Sequence, residues 1–158
     1  MGTTIDLQCV SDEPDLPNQD MLSKWVNAVL EYNTKDNKEL TIRLVDITEA
    51  QQLNFKWRQR NNPTNVLSFP FECPPEVNIP LLGDIVICVP LVATEAAEQH
   101  KSLYAHWAHL VIHGTLHLLG YDHIDEQQAQ LMENIEVKIL KDLGYPNPYH
   151  LTDSEDLS

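Results

Sequence analysis

Leu103-Tyr-Ala-His106-Trp-Ala-His109-Leu-Val-Ile-His113-Gly-Thr-Leu-His117-Leu-Leu119, followed by Gly120-Tyr121-Asp122-His123, is the stretch on which the reading of this chain turns. Up to Leu119 it is long and apolar on most faces, which predicts a helix buried on more than one side, at the centre of a domain. Gly120 is placed to close that helix in a left-handed conformation.

The segments on either side are amphipathic. Downstream, Asp125 is placed to cap a last helix with a stripe of Leu131, Met132, Ile135, Ile139, Leu140 and Leu143, ending at Gly144 before Pro146. The tail from Thr152 is acidic and is expected to fray. Upstream, Thr3 to Val10 alternates apolar and polar residues as a half-buried strand does, and Leu40 to Val45 does so again. Met21, Leu22, Trp25, Val26, Val29 and Leu30 recur at helical spacing, predicting a helix over Asn18 to Tyr32. Thr48 to Gln51 has the form of a capping box opening a helix that runs to Trp57 and Arg58. Val66 to Phe69 and Asp84 to Val89 are short β-type runs, separated by a proline-rich excursion from Pro70 to Pro80. Pro90 suits the first turn of a helix continuing to about Lys101. This order predicts an α+β fold, a small mixed sheet of about four strands packed with about five helices.

At 158 residues, 42% hydrophobic and 22% charged, the chain has enough apolar material for one globular domain spanning 1–158. It contains no repeat, no low-complexity linker and no apolar run near the roughly 18 residues of a membrane span. The first residues lack the basic and then apolar layout of a signal peptide, so a cytoplasmic protein is expected. Cys9, Cys73 and Cys88 are too few and too scattered for a disulfide framework, and they read as small buried apolar groups. Against 24 acidic residues stand 10 lysines and arginines, a net charge of -14 that repels polyanions over most of the surface. Lys56, Arg58 and Arg60 form a local basic exception.

His113 and His117 lie four residues apart on the central helix, so both imidazoles leave one face a turn apart and can share one metal ion. If Gly120 folds the chain back, His123 approaches the same point from the other side. Three neutral histidines leave a fourth position open for water, the arrangement of catalytic zinc. His106 and His109 read instead as satisfied core side chains or a surface pair. The spacing matches that of metzincin proteases, which carry glutamate as general base directly after the first histidine; here that position is Gly114. Glycine cannot accept a proton, so peptide hydrolysis lacks its base, and RNA, which carries its own 2′-hydroxyl beside the scissile phosphate, becomes the better substrate.

His113-Gly-Thr-Leu-His117-Leu-Leu-Gly-Tyr-Asp-His123 and Pro63-Thr-Asn-Val-Leu-Ser-Phe-Pro-Phe71 together resemble the two signatures of the YbeY family of bacterial metal-dependent endoribonucleases. The resemblance continues through Gly83-Asp84-Ile85 and Leu143-Gly144-Tyr145. It implies a single-strand-specific ribonuclease that trims the 3′ end of 16S rRNA and takes part in ribosome quality control, with one Zn2+ per chain held by His113, His117 and His123. It implies the ribosome or small-subunit proteins as partners, and neither DNA nor a membrane. It also places an essential arginine five residues before the Pro-Thr-Asn-Val-Leu-Ser-Phe motif, at Arg58, where a guanidinium would pair with phosphate oxygens.

Around Arg58, Trp57 is either a base-stacking platform or core, while Lys56 and Arg60 are either RNA contacts or helix solubilisers. Ser68 and Phe69 lie on a strand that could border the cleft or simply build the sheet. Asp84 and Asp122 are the carboxylates near the motifs that could replace the missing base or orient a histidine. Two other functions fit the same residues: a ribosome-assembly factor with little nuclease activity, and a metal-dependent hydrolase of another substrate.

Overall fold

A computed structural model describes residues 4–11, 13–32, 38–59, 64–71, 81–122 and 124–149. His123, Arg60, Cys73, most of the proline-rich excursion and the acidic tail lie outside the described residues. The elements run β1 Thr4–Cys9, α1 Gln19–Tyr32, β2 Glu39–Val45, α2 Ile47–Arg58, β3 Val66–Pro70, β4 Leu81–Cys88, α3 Val89–Glu98, α4 Leu103–Leu118 and α5 Glu126–Asp142. The fold is α+β, with a four-stranded mixed sheet in the order β1-β2-β4-β3. β1, β2 and β4 are parallel, and β3 pairs with β4 antiparallel, Ser68 facing Ile85 and Phe69 facing Asp84.

Strand alternation divides the sheet into two unlike faces. One presents Ile5, Leu40, Ile42, Leu44, Ile85 and Ile87 to α1 and α4, and together they form the main core with Trp25, Val29, Trp107, Ile112 and Leu116. Side chains of this kind contribute roughly 1.5–3 kcal/mol each when removed from water. The other face is covered only in part, where Val45, Ala50, Leu67, Val86 and Cys88 meet α2 and the start of α3.

α4 touches α1, α3, α5, β3 and β4, which explains an apolar sequence on nearly every side. It comes close enough to the sheet that a β-carbon at Gly114 would sit 3.1 Å from Ile85 Cγ2 and 3.2 Å from Ser68 Oγ. The helix ends as the sequence predicts: Gly120 has φ +103°, its N–H bonds the His117 carbonyl, and the Tyr121 N–H reaches back to the Leu116 carbonyl. These two bonds satisfy carbonyls that the last turn would otherwise leave bare.

Local readings differ from the structure in several places; β4 begins at Leu81, ahead of the predicted Asp84, and Val89 opens α3, which ends at Glu98. α2 is capped by Asp46, whose carboxylate accepts from the Glu49 N–H at 3.0 Å, and Thr48 is already the second residue of the helix. An aspartate immediately before the helix satisfies the same orphan donors earlier than the Thr-x-x-Gln box can. In α5, Leu131 is 54% exposed while Glu136 is fully buried among the stripe residues. Its hydrophobic stripe therefore carries a carboxylate at its centre. Cys9 is exposed near the end of an edge strand, and only Cys88 fits the reading of a buried small group among the described cysteines. No helix among the described residues is long and apolar enough to cross a membrane.

Candidate metal centre and cleft

A cavity of about 690 Å³ opens at the C-terminal end of α4, lined by His113 and His117 from that helix and by Arg58, Thr64 and Ser68. Tyr121 and Asp122, carried round by the Gly120 turn, line its rim. Arg58 sits on the last turn of α2, and its Nη2 donates to the Ser68 carbonyl at 2.8 Å, tying the guanidinium to β3. Ser68 Oγ lies 3.4 Å from the Gly114 carbonyl, bracing the same strand against α4. Residues far apart in sequence thus meet because the close approach at Gly114 brings β3 alongside the histidine turn of the helix.

The two histidines are set with defined chemistry. His113 Nδ1 lies 2.6 Å from Glu136 Oε2 on α5, and His109 Nε2 lies 2.8 Å from Glu136 Oε1. The Tyr149 hydroxyl donates to the same Oε1. Burial by itself would raise the Glu136 carboxyl, but the hydrogen bonds and charges of His109 and His113 outweigh it and hold it down at about 2. Burial and the neighbouring Glu136 charge push the Tyr149 hydroxyl up. An ionised carboxylate only accepts, so His113 Nδ1 carries the proton and, in the neutral ring, Nε2 keeps its lone pair. That nitrogen lies 3.2 Å from His117 Nε2. Two nitrogens bound tetrahedrally to one ion at about 2.0–2.1 Å lie about 3.3 Å apart. The pair therefore fits two ligands of one zinc ion, and a carboxylate fixing the far ring nitrogen is the usual support of such ligands.

Among the described residues no group of three His, Cys, Asp or Glu side chains is gathered as a metal site. The third expected ligand, His123, is outside them. Of the two carboxylates raised as substitutes for a base, Asp122 borders the cleft, whereas Asp84 opens onto the other face of the sheet, because it alternates with Ile85 along β4. Phe69 lies on that other face too, while Ser68 borders the cleft. Glu136 went unread in the sequence; a lone acid inside an apolar helical stripe, between Ile135 and Ile139, is the signal that marks it.

His106, further up α4, is a core residue 4% exposed, with Nε2 2.9 Å from Glu95 Oε1. Burial lowers its pKa from the ordinary 6.5, the Glu95 hydrogen bond opposes this, and Lys101 adds to the lowering. Its folded pKa is below that of the unfolded chain, so its contribution to stability is complete above pH about 6.5 and is lost as pH falls below that value. Urea unfolding at about pH 7.5 and 5.5 is expected to show a loss of up to about 1.4 kcal/mol per pH unit from this group. His106→Gln should remove that part of the slope, and an unchanged slope would count against the assignment.

A family model described as Endoribonuclease YbeY matches residues 7–144 of the chain. Among solved structures, the solution structure of TM1509 from Thermotoga maritima is similar, at 25% sequence identity and a TM-score of 0.60, with 89% of this chain and 88% of that chain covered.

Proposed function

We propose, from the premise that this chain belongs to the YbeY endoribonuclease family, that it is a zinc-dependent, single-strand-specific ribonuclease acting at the 3′ end of 16S rRNA. The observation that carries this reading is the facing of His113 Nε2 and His117 Nε2, 3.2 Å apart, in a cavity that Arg58 also lines. In this reading His113, His117 and His123 hold one Zn2+ per chain within a single domain. Zinc bound there would supply Lewis-acid polarisation of a phosphate oxygen or activation of a water.

The chain's own residues do the rest. Arg58, restrained by its bond to the Ser68 carbonyl, receives the scissile phosphate and offsets charge that builds as the bond breaks. Glu136 keeps His113 in the tautomer whose Nε2 faces the cleft. Gly114 cannot act as a base, and Asp122, which lines the cleft, is the carboxylate assigned to accept a proton from the attacking hydroxyl or water. The protein works in the cytoplasm, with ribosome or small-subunit proteins directing it to rRNA and to defective 70S ribosomes. With a net charge of -14, bulk nucleic acid is repelled, and a partner or a local site must bring the strand in.

Elemental analysis of the purified protein, paired with cleavage of a single-stranded precursor of the 16S 3′ end, tests the reading. About one zinc per chain is expected, with cleavage lost on chelation. His113→Ala should lose the metal, and Arg58→Ala should keep it while slowing cleavage by about 10²–10³. Cleavage that survives both variants would overturn the nuclease reading and leave that of a ribosome-assembly factor.

A further inference from the structure

Trp57 is exposed in a way that packing does not explain. It is 58% accessible, whereas Trp25 and Trp107 are each 1% accessible. Its ring meets that of Phe69 edge to face at 6.2 Å. Lys56 Nζ stands 5.1 Å from the Trp57 ring centre, and the Arg58 guanidinium stands 5.6 Å from that of Phe69. Phe55 and Ile124 are as exposed or more so, so exposure alone marks nothing; what sets Trp57 apart is that its ring and that of Phe69 each stand beside a cation.

These rings border a second hollow, about 800 Å³, on the face of the sheet that α2 leaves partly open. Thr41 and Asp84 form its floor, and Arg58, Ser68 and Pro70 line both this hollow and the histidine cleft. The two cavities are therefore the two sides of one ridge, with Arg58 at its crest. The carboxylates decide which part of a strand could lie here. Glu49 is engaged by Arg43, while Asp84 presents an exposed carboxylate. A carboxylate repels phosphate but accepts from the amino groups on a base edge. Aromatic rings beside arginine are in turn the platform on which single-stranded bases stack.

We propose that the hollow bordered by Trp57, Phe69 and Asp84 is a nucleobase subsite for single-stranded RNA, continuous with the cleft. A strand whose phosphate rests at Arg58 crosses the ridge, stacks a neighbouring base on Trp57 and Phe69, and offers that base's amino group to Asp84. Cytosine, adenine and guanine carry such an amino group; uracil, with one N–H between two carbonyl oxygens, fits least. The subsite rests on the ribonuclease reading of the cleft.

Anisotropy of labelled single-stranded oligo(C) and oligo(U) hexamers mixed with the full chain, read by stopped flow before turnover, tests it. Wild-type protein is expected to bind oligo(C) more tightly than oligo(U). Trp57→Ala should weaken oligo(C) binding about tenfold, with KM for a cleavable strand raised more than kcat is lowered. Trp57→Phe should restore most of the affinity, and Asp84→Asn should erase the preference for C over U. Trp57 is exposed, so its variants should keep the wild-type melting temperature. If Trp57→Ala binds both hexamers like wild type while cleavage still depends on Arg58, the subsite is wrong and the nuclease reading stands. If wild-type protein neither binds nor cleaves RNA, both fall. Loss of ribosome association in Trp57→Ala with hexamer affinity unchanged overturns the subsite in favour of a protein-docking face.

Discussion

Glu136→Ala is expected to lower stability by about 3–5 kcal/mol, because several hydrogen-bonding groups lose their shared partner, at about 1–3 kcal/mol each. The carboxylate is fully buried and bonded to His109, His113 and Tyr149, so its loss removes the shared partner of three polar groups at once. Glu136→Gln keeps the volume but replaces one acceptor oxygen with a donor amide that faces another donor, and should lose about 1–3 kcal/mol. Urea unfolding of the metal-free chain measures both. The zinc reading adds a second readout. Without the carboxylate, His113 is free to take the other tautomer or another rotamer, and affinity for zinc in a chelator competition should fall about 10–100-fold in the glutamine variant. Nitrogen NMR of His113 should find the proton on Nδ1 in wild type. A glutamine variant with unchanged stability and unchanged zinc affinity would show that Glu136 merely fills space.

Gly114→Glu has a comparably large expected effect, for a different reason. It would restore the residue that metzincins carry as general base, yet a methyl group alone already meets Ile85 Cγ2 at 3.1 Å, Ser68 Oγ at 3.2 Å and Ile85 Cδ1 at 3.3 Å. Overpacking costs about 1–3 kcal/mol, and a carboxylate buried there without a cationic partner adds several more. The thermal midpoint should fall far below that of wild type, and no peptidase activity should emerge. Gly114→Ala separates the two causes. Its helix propensity gain of about 1 kcal/mol works against the tight contact, so its midpoint should stay much nearer to wild type. A glutamate variant as stable as wild type would mean that β3 and α4 can move apart, and that the cleft is not braced by this contact. The absence of a glutamate after the first histidine is thus enforced by packing as well as by chemistry.

Much of the candidate site was legible because its signals are local. Two histidines four residues apart share a helix face whatever surrounds them, and a glycine at the end of an apolar helix predicts its Schellman turn. Arg58 carries no such local signal: on its own it reads as a solvated helix-end residue, and only the resemblance to the YbeY family singles it out. What was not legible depends on which elements lie side by side. Glu136 follows His113 by 23 residues and reaches it only because α5 packs on α4. Asp84 stands inside a motif that suggests the cleft, yet strand alternation turns it to the opposite face, where it lines a hollow together with Trp57 and Phe69. Thr48 was a plausible cap until Asp46, two residues earlier, took the role.

The amino-acid sequence by itself determined the elements, their order, the α+β class and the pairing of His113 with His117. Each follows from periodicity, caps and turns acting over a few residues. Only the tertiary structure decided the strand order β1-β2-β4-β3, the meeting of Arg58 with the histidines across β3, and the burial of Glu136 behind them. Those depend on the fit of α4 against the sheet at Gly114 and of α5 against α4, contacts between segments whose separation along the chain carries no record of their distance in space.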